Sequence, residues 1–314
     1  MTERSFKDYI IILIKGLAMG AADVVPGVSG GTIAFITGIY DEMLDSLKRC
    51  NPSALIVLFK EGPVKFWHHI NGNFLLALFG GILLSIKTFA SVISYQLQHS
   101  PLLVWSFFAG LICASVLLLY RQQPAWRLLD WLYCALGASF VILISLSKST
   151  QLPGDWWVLF FGGFIAICAM ILPGISGSFI LLLLGLYPAF LNAIKDVDLL
   201  ALASFGAGCI AGLLVFSRFV SWLLSRYHQK TLAVLIGFLI GSLNVVWPWK
   251  IVLEAITDRH GELIPLVQRN VSPWSYSTNN GEHNQLLFVI IAFFGGIGIV
   301  WITEYSAHWL KSRT

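Results

Sequence analysis

Two short stretches hold the residues best suited to chemistry: Pro26-Gly27-Val28-Ser29-Gly30-Gly31-Thr32 and Pro173-Gly174-Ile175-Ser176-Gly177-Ser178. Proline has no backbone N–H, and glycine favours non-helical backbone, so each stretch is expected to break a helix. The helix that restarts after such a break has first-turn N–H groups without intrahelical partners, at the positive end of its dipole. Those groups suit an anion. Gly27, Gly30, Gly31, Gly174 and Gly177 would let an anionic group come close to the backbone, and Ser29, Thr32, Ser176 and Ser178 add hydroxyl donors. No nucleophile–base pair is evident at either place. The chemistry on offer is binding of a phosphate-like group.

The two stretches are copies. Gly16–Tyr40 aligns with Gly163–Tyr187 without a gap at an offset of 147, and nine of the 25 positions are identical: Gly16/Gly163, Ala22/Ala169, Pro26/Pro173, Gly27/Gly174, Ser29/Ser176, Gly30/Gly177, Ile33/Ile180, Gly38/Gly185 and Tyr40/Tyr187. Weaker matches follow, Phe79-Gly80 with Phe205-Gly206 and Gly110–Ser115 with Gly237–Ser242. The chain is read as a duplication.

Charge within apolar sequence is the second signal. Lys87 lies in the run Phe74–Leu97 and Arg218 in Leu199–Leu224, equivalent runs of the two copies. A cation at the centre of a membrane costs about 2.5–3.5 kcal/mol on insertion scales, so it usually faces a partner or a pathway. Two cations favour an anionic ligand, against the alternative that each snorkels to an interface. Asp23, three residues before the first turn, is replaced by Met170 in the second copy. It is a candidate for ion coupling, a cap for the hairpin, or a partner for Lys87. Glu304, with His308 one turn on, is a second candidate for ion coupling, beside an interfacial structural role. Ser115 and Asn244 could line a polar path or join helices. The five cysteines and seven histidines show no metal-ligand spacing, and neither a metal nor a cofactor is expected.

What positions these residues is a membrane. Apolar residues make up 57% of the 314, charged residues 11%, and the mean hydropathy is +0.79; soluble domains carry about a quarter charged residues. A net charge of +4 without a basic tract is too small to suggest a nucleic-acid partner, and none is expected. Roughly 20 apolar residues cross a bilayer, and broken backbone at that depth must be covered by protein or line a cavity. The expected fold is therefore an all-α polytopic membrane protein of two inverted repeats. Residues 1–150 would form a re-entrant hairpin (6–48, the returning arm continuous from Thr32 to Lys48), an amphipathic surface insertion (53–70) and spans at 74–97, 102–120 and 131–147. Residues 151–314 would form a hairpin (156–195) and spans at 199–225, 231–249 and 286–310. A kinked continuous helix is the alternative to each hairpin. With non-crossing hairpins and a cytoplasmic N-terminus, twelve basic residues fall inside and five outside, in accord with the positive-inside rule. Both termini are then cytoplasmic. Inverted repeats with broken helices meeting near mid-membrane suit a secondary transporter.

The stretches MGAADVVPGVSGGTIAFITGIYDEML and MILPGISGSFILLLLGLYPAFLNAIKD resemble the bacterial and archaeal polyprenyl-phosphate transporters, over essentially the whole chain. The resemblance implies return of undecaprenyl phosphate, or a related polyprenyl phosphate, across the bacterial inner membrane for reuse as a cell-envelope lipid carrier. It also implies a role without enzymatic turnover. Two readings stand beside it. Undecaprenyl-pyrophosphate phosphatases share a proline-glycine-serine turn, but place arginine after the serine where this chain has Gly30 and Gly177. A small-anion carrier or channel would use the same turns without a lipid. Oligomeric state, a homo-oligomer included, is left open by the sequence.

Overall fold

The computed structural model describes residues 4–23, 29–147, 152–257, 263–280 and 283–311. The chain begins with α1 (Phe6–Asp23), whose start is fixed by Asp8 accepting the Ser5 N–H at 2.8 Å and the Ser5 hydroxyl at 2.9 Å. Next come α2 (Gly30–Ile36) and α3 (Tyr40–Arg49). The returning arm expected to run continuously from Thr32 to Lys48 is therefore two helices. They part at Gly38, which takes φ +71°, a backbone state that side-chain-bearing residues avoid. The insertion follows as α4 (Pro52–Glu61) and α5 (Pro63–His69), each opening on a proline and divided at Gly62 with φ +91°. Then α6 (Gly72–His99), α7 (Pro101–Gln122) and α8 (Leu128–Leu146) occupy the long apolar runs.

The second copy repeats this order. It consists of α9 (Trp156–Ile171), α10 (Gly177–Leu183), α11 (Tyr187–Lys195), α12 (Leu199–Arg226) and α13 (His228–Ser242). Gly185, at φ +69°, divides α10 from α11 as Gly38 divides α2 from α3, and the two helices bend by 110°. Like α6, α12 has 28 residues. An antiparallel pair, β1 (Lys250–Thr257) and β2 (Leu263–Asn270), precedes α14 (Pro273–Asn280) and α15 (Leu286–Lys311). This pair departs from an all-helical chain. Its β-branched residues (Ile251, Val252, Ile256, Thr257, Ile264, Val267) suit a pleated backbone, and they sit in the polar connection, away from the apolar runs. Among the described residues α7, α8 and α12 are long and apolar enough to cross a membrane, or four segments if the bent pair α10–α11 counts as one.

The chain divides into two compact units, residues 1–94 with 150–232 and residues 95–149 with 233–314. Glycines bring the helices of the first unit close. A Cβ at Gly16 would strike the Leu78 carbonyl oxygen, and one at Gly163 would strike that of Phe205. Likewise Gly81 faces the Leu13 carbonyl and Gly208 that of Phe160. Each second contact is the first shifted by 147 residues on the shorter helix and 127 on the long helix. Thus α1 packs on α6 as α9 packs on α12.

The second unit has the same pattern. Gly110 lies against the Phe293 carbonyl and Gly237 against that of Cys134, while Gly296 faces Phe107 and Gly137 faces Val234. Close backbone approach through small residues is the usual way helices associate in lipid. The β1–β2 end is held by Trp249 in a cluster with Leu102, Tyr276 and Val289, and by the Lys250 ammonium 3.8 Å above the Trp105 ring.

Candidate anion-binding turns

In the first unit the two repeated turns are joined to each other. The Ser29 hydroxyl donates to the Met170 carbonyl at 2.7 Å, and the Gly174 N–H donates to the Thr32 hydroxyl oxygen at 2.8 Å. Gly31 fits beneath the Met170 and Ile171 carbonyls, where a Cβ would collide. Ser29, Thr32 and Ser176 are buried, at 1%, 1% and 5% exposure. A hydrogen bond lost from such sites would leave a buried polar group unsatisfied, at a cost of about 1–3 kcal/mol.

The first turn supplies its own acceptors. The Asp23 carboxylate accepts the Gly30 N–H at 2.6 Å, and the Ser29 hydroxyl oxygen accepts the Gly31 N–H at 3.0 Å. The opening of α2 is thus capped twice. At the other end of this seven-residue helix the Lys15 ammonium donates to the Thr37 carbonyl at 2.7 Å. A carboxylate at the start and an ammonium at the end both complement the helix dipole. Sequence reading did not single out Lys15. Its role depends on α1 running beside α2, and its only advance signal is a lysine inside an apolar helix.

The second turn is built differently. Met170 stands where Asp23 stood, and Gly162 where Lys15 stood. Leu186 fills the space beside Gly162, so a side chain there would collide with it. Gly174 takes φ +86°, which aims its N–H at Thr32. The Ser176 and Ser178 hydroxyls lie 2.9 Å apart, and Ser176 makes no side-chain cap on α10. Among the described residues the N–H groups of Gly177 and Ser178 meet no acceptor.

The remaining candidates are not gathered at the turns by any contact among the described residues. Lys87 is exposed on α6 and Arg218 is half-buried on α12, neither with a polar partner there. No cation pairs with Asp23 among the described residues. Gly27 lies outside the described residues, as do the side chains of Glu304 and His308. Ser115 bonds back to the Leu111 carbonyl within its own helix, and Asn244 donates to Ser145 at 2.8 Å within the second unit. Among the described residues no cluster of His, Cys, Asp and Glu could hold a metal.

Several apolar helices, with two glycine-serine segments hydrogen-bonded to each other between them, define a helical membrane protein. The chain belongs to the undecaprenyl phosphate translocase-like family, whose pattern matches residues 19–264. It is similar to a polyprenyl-phosphate transporter of Vibrio cholerae, 48% identical over 93% of this chain and 95% of the relative. It is also similar to a polyprenyl-phosphate transporter of Staphylococcus aureus, 32% identical over 76% of this chain and 86% of that relative. No solved structure matches it.

Proposed function

We propose that this protein carries undecaprenyl phosphate, or a closely related polyprenyl phosphate, from one leaflet of the bacterial inner membrane to the other. The lipid carrier so returned is reused in building the cell envelope. Family membership and the name shared by the two relatives support the lipid class. The observation that carries the mechanism is the difference between the turns. The first has its donors filled by Asp23 and Ser29, while the second keeps Gly177 and Ser178 N–H groups and two hydroxyls without an acceptor beyond each other, among the described residues.

In this reading the phosphate meets the second turn at Gly174, Ser176, Gly177 and Ser178. The first turn (Gly27, Ser29, Gly30, Gly31 and Thr32) serves chiefly as the scaffold that holds it. The prenyl tail stays in lipid, and only the headgroup needs a route. Lys87 and Arg218 would attract the phosphate along that route, and Asp23 and Glu304 are the carboxylates available for ion coupling. The architecture we infer is a pair of inverted repeats, 1–150 and 151–314, with re-entrant hairpins and both termini cytoplasmic. Support comes from the matched glycine contacts of the two copies and the charge distribution between loops. The hairpins and first spans of both copies share one compact unit, and most of the remaining helices share the other.

Flipping of a labelled prenyl phosphate in proteoliposomes tests the reading, with the intact chain set against Ser176→Ala and Arg218→Ala. Protein-dependent flipping that both substitutions reduce, at unchanged insertion, is the expected result. Release of inorganic phosphate from a prenyl pyrophosphate would make the protein an enzyme instead. Anion flux without any lipid requirement would make it a small-anion carrier.

A further inference from the structure

The insertion α4–α5 is present only in the first copy, and the transport reading does not use it. Its ten- and seven-residue helices are far too short to cross a bilayer, which takes roughly 20 residues. They are nevertheless strongly apolar on one side. Leu55, Ile56, Phe59 and Val64 are exposed at 51%, 54%, 84% and 69%. The segment is tethered at both ends. Ala54 is buried, Asn51 caps α4 through the Ala54 N–H at 3.1 Å, and Trp67 donates to Asn73 at 2.7 Å with its ring over Gly72. A fixed position with a bare apolar face demands something apolar to cover it.

The charges around that face say what the cover is. Lys60 and Lys65 are exposed on the two helices, and Lys48 and Arg49 are exposed at the end of α3 just before them; among the described residues Lys65 pairs with Glu61 at 3.4 Å and Lys48 donates to the Ser221 hydroxyl at 3.4 Å. Lysine stems lie along apolar surface while their ammonium groups stay at the aqueous boundary. Short apolar helices rimmed by lysines match the headgroup boundary of an anionic leaflet. We propose that α4–α5 is a docking surface for anionic phospholipid, with Leu55, Ile56, Phe59 and Val64 seated below the headgroups and the four basic residues meeting lipid phosphates. The bend at Gly62 lets both helices lie along the membrane plane. This holds whether or not the protein transports a prenyl lipid.

The test uses the full chain in nanodiscs free of prenyl phosphate, made either of phosphatidylcholine alone or with one-third phosphatidylglycerol. Hydrogen exchange over residues 53–69 is the readout. Exchange is expected to be about tenfold slower in the anionic discs, each basic residue near such a surface contributing roughly fivefold at most. Lys60→Gln combined with Lys65→Gln should remove most of that difference. Phe59→Ser should speed exchange in both lipids. Equal exchange in the two lipids for the native chain would overturn the proposal. So would a Phe59→Ser variant that keeps its lipid-dependent protection but changes the oligomeric state, since the face would then cover a second copy.

Discussion

The two glycine-serine turns descend from one sequence and keep one serine in common, Ser29 and Ser176, yet most of the charged and polar groups around them differ. In the first, Asp23 and Lys15 bracket α2 at its two ends, and Ser29 and Thr32 bond to Met170 and Gly174 of the second copy. In the second, Met170, Gly162 and Phe179 stand at the positions of Asp23, Lys15 and Thr32, and among the described residues the hydroxyls of Ser176 and Ser178 bond only to each other. Two pairs of helix-packing glycines did not diverge: Gly16 and Gly163, and Gly81 and Gly208, meet equivalent carbonyls, whereas Gly20 and Ser85 in the first copy are Ile167 and Gly212 in the second. The difference teaches that duplication preserved these close helix contacts while the groups around the turns diverged. In the function proposed above, one copy carries a built-in acceptor, Asp23, and acts as support, and the other keeps donors for an anion from outside.

That division can be broken most severely by giving the second turn the first turn's carboxylate. Met170→Asp would set an acid beneath the Gly177 N–H, as Asp23 lies beneath Gly30. It should lower flipping of labelled prenyl phosphate in proteoliposomes by about 100-fold, the scale of one charged hydrogen bond lost to an internal competitor. Gly81→Ala and Gly208→Ala sharpen the comparison where the copies agree. Each would push a methyl group into a carbonyl, and thermal or denaturant unfolding in detergent should show two similar losses of about 2 kcal/mol. Unequal losses would mean that the copies share less packing than their glycine contacts indicate.

Thr32→Val keeps the shape but leaves the Gly174 N–H without its acceptor. A stability loss of about 1.5 kcal/mol is expected, and the second turn should become more accessible to hydrogen exchange. Lys15→Met should have the smallest effect. An ammonium at a helix end contributes about 0.5 kcal/mol, so a modest fall in unfolding temperature is expected, with flipping nearly unchanged. A large loss of flipping in Lys15→Met would give the first turn a direct part in transport.

Much of this architecture was legible in the sequence because lipid imposes strong rules. Long apolar runs had to become helices such as α6, α7, α12 and α15, and a proline-glycine break within an apolar run had to become a turn covered by protein. Gly38 and Gly185 matched between the copies, but that each would stop a helix depends on a positive φ that spacing alone does not reveal. The β1–β2 pair had its signal in the β-branched residues after Lys250, obscured by the polar loop around them. The cross-links from Ser29 to Met170 and from Gly174 to Thr32 join residues more than 140 positions apart, and no local pattern encodes them. Lys87 shows the limit from the other side, since the rotation of a helix about its axis is set by its neighbours.

Photo-crosslinking tests most directly whether the phosphate binds at the second turn. A polyprenyl phosphate carrying a diazirine beside its phosphate would be activated on the reconstituted protein and the labelled peptides mapped. Labelling concentrated on residues 172–180, competed by unlabelled lipid and reduced by Met170→Asp, is the predicted result. Labelling that favours residues 23–32, or that Met170→Asp leaves unchanged, would contradict it.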